Sequence, residues 1–204
     1  MLFILTGDVR IGKSRWLCGL ADDLENAGLP VCGVIAPGRW RESSGTEADG
    51  NGFEKLGIDD LLLPQRELIP FGVRADLADG SSLSQATQSS GAGLGWCISD
   101  EAIARVNRHF ASLPERVAQQ GGSALLVVDE LGRLELRGGG GLTGALALLE
   151  AGPSEAIPHA LVVVRDCLAD EAQARLAPIW GGALRIAPDD EGRAIVSDRL
   201  RIAI

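Results

Sequence analysis

Apolar residues recur along this chain with two different periods. Short uninterrupted runs at 2–6, 31–36, 124–129 and 159–164 have the length of strands and no polar alternation, the pattern of strands buried on both faces of a parallel sheet. Between them the spacing becomes helical. Trp16, Leu17, Leu20 and Leu24 mark one face of a helix over 13–27 that stops at Gly28. Ser99 reads as the N-cap of a second helix, with Asp100 and Glu101 in its first turn and Ile103, Val106, Phe110 and Leu113 as its apolar stripe. That helix continues or restarts after Pro114 and ends at Gly121-Gly122. Further helices are predicted over 142–150 and 169–176, after a break at 138–141, and further strands over 183–187 and 199–204. Strand, helix, strand in alternation predicts one α/β domain over 1–204. Its doubly wound, mostly parallel sheet is joined by right-handed crossovers.

Two stretches break this rhythm. Residues 37–74 are polar at first, carry Arg39, Trp40 and Arg41, and then read as strands over 53–58 and 67–74 around a turn at Leu63-Pro64-Gln65. They predict a hairpin-like insertion with an ill-defined loop at 42–51. Residues 75–97, rich in Ser, Gly, Ala and Gln, predict a flexible loop or lid.

Composition narrows the function classes. Two hundred and four residues suffice for a sizeable core. A net charge of −9 argues against a general nucleic-acid binder, which needs a basic face. No apolar stretch reaches membrane-spanning length, and the first apolar run is too short for a signal peptide. Cys18, Cys32, Cys97 and Cys167 are scattered, and with His109 and His159 they form no zinc-site spacing. The expectation is free thiols in a reducing cytoplasm, with Cys18 and Cys167 in the core.

The chemistry begins at residue 7. Gly7-Asp8-Val9-Arg10-Ile11-Gly12-Lys13-Ser14 is a complete phosphate-binding loop, placed between a strand and a helix as that motif requires. Gly7 and Gly12 let the backbone turn N–H groups inward around an anion, and the helix N-terminus adds its positive dipole end. Lys13 reaches for the β/γ-phosphates, the Ser14 hydroxyl for Mg²⁺, and Arg15 follows as a further cation. Lys13 and Lys55 are the only lysines among 19 cationic residues, so lysine stands where the motif asks for it. The second half of such a site is an acidic strand end. The run 124–129 supplies Asp129 for the metal, directly or through water, and Glu130 to orient or deprotonate an attacking water. The alternative for both carboxylates is that they cap the next turn.

The run Asp129-Glu130-Leu131-Gly132-Arg133-Leu134-Glu135-Leu136 resembles the Asp-Glu-Ile-Gly-Lys-Met-Glu-Leu signature of a family of small nucleoside-triphosphatases. These are known from thermophilic microbes and, in animals, as cancer-related nucleoside-triphosphatase. The N-terminal phosphate loop, the strand at 31–35, the polar hairpin reaching Gly52-Phe53 and a late strand ending at Arg165 fit the same pattern. The loop interior Asp8-Val9-Arg10-Ile11 departs from the family's Pro-Gly. The resemblance implies a RecA/KaiC-like P-loop domain and Mg²⁺-dependent hydrolysis of ATP, GTP and other nucleoside triphosphates to diphosphate and phosphate. Gly7, Gly12, Lys13 and Ser14 carry over as phosphate and metal contacts, Asp129 and Glu130 as metal and water-activating groups, with Glu135 a candidate partner of Arg133. Arg10 and Arg165 are either a further charge for the transition state or surface arginines. Two rival readings stand beside hydrolysis. One is a nucleotide or small-molecule kinase, with 75–97 closing over an acceptor near Trp96. The other is a nucleotide-dependent switch module with slow turnover. Oligomeric state is not legible.

Overall fold

The computed structural model describes residues 1–9, 11–46, 48, 52–80, 86–91 and 95–202. Among them, nine strands form one sheet: β1 (Leu2–Leu5), β2 (Val31–Ile35), β3 (Gly38–Glu42), β4 (Phe53–Leu63), β5 (Glu67–Arg74), β6 (Trp96–Ile98), β7 (Leu125–Leu131), β8 (His159–Val164) and β9 (Ala183–Ile186). The helices are α1 (Lys13–Asn26), α2 (Thr87–Gly91), α3 (Asp100–Gln119), α4 (Thr143–Ala151), α5 (Asp166–Leu176) and α6 (Asp190–Leu200).

The sheet runs β6-β5-β4-β2-β7-β8-β1-β9, with β3 paired to β4. From β2 to β9 every pairing is parallel. From β2 outward through β4, β5 and β6 every pairing is antiparallel. The expected hairpin is therefore an antiparallel wing that extends the same sheet, with the 64–66 turn where the sequence placed it. The stretch expected to be a loop contributes α2 and β6. Ser89 Oγ accepts from Ile98 N at 3.0 Å, and Asp100 takes N–H and hydroxyl bonds from Thr87.

Strand residues alternate between two cores. Leu2, Ile4, Val128, Val162 and Val164 face α3, α4 and α5. Phe3, Leu5, Val127, Val163 and Ile186 face α1 and α6. With helices on both faces the fold is doubly wound, as the apolar runs predicted. The β2–β7 contact depends on Gly33, at φ +120°, where a Cβ would stand 2.0 Å from Val127 O.

Three expectations are corrected. The strand expected at 199–204 is the end of α6 and its C-terminal turn, because Asp189 caps the helix through Gly192 N and Val196 buries against β1 and β9 (residues 203–204 lie outside the described residues). Cys18 is half-buried and Cys167, in the first turn of α5, is exposed. The buried thiols are Cys32 and Cys97, on strands. No helix of the described residues is long and apolar enough to cross a membrane.

Candidate phosphate and carboxylate site

The loop after β1 enters α1 in a way that leaves its N-terminus open to an anion. Gly7 and Gly12 have φ +140° and +94°, conformations that side-chain-bearing residues rarely adopt. Gly12 occupies the N-cap position, so no side chain caps α1, and no acid sits in its first turn. By contrast α3 and α6 are capped by Ser99 and Asp189 and begin with acids. The first turn of α1 instead carries the Ser14 hydroxyl and two cations, Lys13 and exposed Arg15, set against the helix dipole. Lys13 Nζ donates to Gly7 O and Asp8 O, both at 2.7 Å, folding the ammonium into the mouth of the loop. Asp8, Val9 and Ile11 are exposed around it. Arg10 lies outside the described residues.

The acids arrive from β7. With β8 between them, β1 and β7 lie about 10 Å apart. Asp129 is tied to the β2 side of β7. Its Oδ2 accepts from Ala36 N at 2.9 Å, and the Ser14 side chain interacts with it from α1. The carboxyl is pushed up to about 6, first by burial and then by Glu130, against the Ser14, Ala36 and Lys55 interactions that favour its charge. The structure thus brings Ser14 and Asp129 together.

Glu130 follows in a bulge. Val128 pairs with Val162 and Leu131 with Val164, so β7 carries one residue more than β8 over this span. Glu130 takes up the excess at φ +73°, a conformation costing roughly 1–2 kcal/mol for a residue with a Cβ. The bulge turns its side chain out of the sheet to the exposed carboxyl edge, where ligands of open α/β sheets bind. Its Oε1 accepts from Arg165 Nε at 2.7 Å.

The remainder of the octapeptide is scaffold. Residues Leu134–Gly138 form a π-helical turn. Buried Glu135 accepts from Gly132 N and Leu142 N, each at 2.8 Å, and does not pair with Arg133, which is exposed. A Cβ at Gly141 would stand 1.9 Å from Glu135 Oε1. Glycine at 141 and acid at 135 are therefore one device that ties down the chain just past Glu130.

Two features of the wing were not singled out in the sequence. Asp60 on β4 is 1 % exposed, and its Oδ2 has no hydrogen-bond partner among the described residues. Burial, then Asp129, then Asp59 push its carboxyl well above the usual range. The Asp59-Asp60 pair beside a strand turn was a visible signal, but only sheet pairing shows that it meets Asp129. Leu61 pairs with Ile35, the last residue of β2, so 53–60 continue past the carboxyl edge of the parallel strands. There Lys55 Nζ lies 5.9 Å from the Trp40 ring centroid and 5.1 Å from that of Trp96.

The fold as a whole has a solved counterpart. The chain shares the fold of a human cancer-related nucleoside triphosphatase. The match to that solution structure has a TM-score of 0.56 at 15 % identity and covers 98 % of this chain and 95 % of that one. It is a likeness of fold over nearly the whole of both chains, and it meets the doubly wound α/β architecture expected from the sequence. No family model and no curated protein matches the chain.

Proposed function

We propose that this chain is a Mg²⁺-dependent nucleoside triphosphatase that releases phosphate from ATP, GTP and related triphosphates. The observation that carries the reading is the convergence of an uncapped, cationic helix start with a buried carboxylate and an exposed, strained one. Hard oxygen donors from Ser14 and Asp129 suit Mg²⁺, and Asp129, buried with its charge disfavoured, suits a cation that stabilises that charge. Bound there, the ion would neutralise charge on the β- and γ-phosphates. The N–H groups from Gly7 to Ser14, Asp8, Val9, Arg10 and Ile11 included, cradle those phosphates. Lys13 exchanges its two loop carbonyls for phosphate oxygens. Glu130, at the edge between β2 and β8, orients the attacking water and accepts its proton. We place this activity in the cytoplasm, consistent with four free cysteines.

The test is phosphate release from each of the four triphosphates with Mg²⁺, wild type beside Glu130→Gln and Lys13→Ala. Glu130→Gln is expected to retain nucleotide and lose turnover by about 10²-fold or more. Lys13→Ala is expected to lose nucleotide binding. Full turnover in the Glu130 variant would remove its assigned role. A second reading, phosphoryl transfer to an acceptor, is favoured by the Trp40–Lys55–Trp96 group overhanging the carboxyl edge. Phosphate release that rises only when one metabolite is added would select it.

A further inference from the structure

The end of β8 touches both halves of the site. β8 lies between β1 and β7, so its carboxyl end stands between the phosphate loop and Glu130. On one side Asp166 accepts from Thr6 Oγ1, one residue before Gly7. On the other, Arg165 places Nε at 2.7 Å and Nη2 at 2.5 Å from Glu130 Oε1. The carboxylate assigned to the attacking water is thus engaged, and it is held so on a bulged residue at positive φ. Both partners are nearly half exposed, at 49 % and 44 %. Ion pairs that exposed are weak and exchange readily. A terminal phosphate carries more charge than one carboxylate and presents the paired oxygens that a guanidinium fork matches.

We propose that Arg165 senses the terminal phosphate: it holds Glu130 in the nucleotide-free protein and transfers to the γ-phosphate of a bound triphosphate, leaving Glu130 free to orient water. The proposal rests on the nucleoside-triphosphatase reading above. A diphosphate offers no γ-phosphate, so the Arg165–Glu130 pair stays closed and the site distinguishes substrate from product. No covalent bond changes in this step; one ion pair is exchanged for another.

The test is calorimetric titration of the full chain with Mg²⁺ and either adenosine β,γ-imidotriphosphate or ADP, so that no turnover intervenes. Wild type is expected to prefer the triphosphate analogue. Arg165→Ala is expected to lose roughly tenfold of that preference with ADP affinity unchanged, and Arg165→Lys to keep part of it. Glu130→Gln, which removes the competing charge, is expected to tighten analogue binding several-fold with Arg165 present and to have no such effect beside Arg165→Ala. An equal preference in wild type and Arg165→Ala overturns the proposal, as does the same Glu130→Gln effect in both backgrounds. Wild type that binds neither nucleotide overturns the phosphate-loop reading and this proposal with it.

Discussion

Asp129 shows how one residue sets a pH dependence. Its carboxyl rises from 3.8 to about 6, chiefly through burial. A raised carboxyl pKa means that the folded state resists ionisation. The associated stability is present below the unfolded value and is lost as pH rises through the folded one. Asp129→Asn is therefore expected to stabilise the nucleotide-free protein by about 2–3 kcal/mol near pH 8 and to change it little near pH 4, measured by urea unfolding. Asp60, shifted in the same direction and lacking a partner at Oδ2, is expected to follow the same pattern in Asp60→Asn. An equal effect of each substitution at pH 4 and at pH 8 would show that neither carboxyl is held neutral. The residue identities at this site were legible because phosphate chemistry dictates glycine, lysine and hydroxyl at fixed spacing. Asp60 was not, because Asp129 reaches it from β7, far away in the chain.

At the scale of elements, the turn after β7 decides where Glu130 stands. Glu135 satisfies two N–H groups that flank it by three and seven residues. Glu135→Ala is expected to cost about 2–4 kcal/mol through those unpaired donors, and to lower turnover more than nucleotide affinity. Unfolding midpoints beside KM and kcat would check both parts. Gly33→Ala is expected to cost more than about 3 kcal/mol, because the new Cβ meets the Val127 carbonyl between paired strands. The helical stripes and buried strand runs were readable because one face, or both, must be apolar. The last helix was misread: 190–200 is polar, and only Val196 and the shortened Gly192 are buried in it. Its apolar tail looked like a strand. The bulge at 129–130 left no pattern, since bulges depend on what the partner strand allows.

For the whole molecule, charge and strand order act together. A net charge of −9 argues against a general basic face, while Arg15 stands beside Lys13 at the loop. The chain is expected to give no gel shift of duplex DNA at about 0.15 M salt. A shift there would contradict the small-nucleotide reading. Strand order does the rest. The interposed β8 brings Arg165 and Asp166 between Glu130 and Thr6, residues 35 and 160 positions away in the chain. The β2–β4 pairing turns a hairpin into a wall beside the same edge. By itself the sequence determined the α/β class and most element positions, and it marked the glycine loop and the two acids as candidates, because each rests on local spacing or on periodicity. Only the tertiary structure decided that Arg165 holds Glu130, that Asp60 faces Asp129, that Glu135 is scaffold and that Lys55 lies between two indoles. Those relations depend on which strands become neighbours and in what register, and no single segment of the chain carries that information.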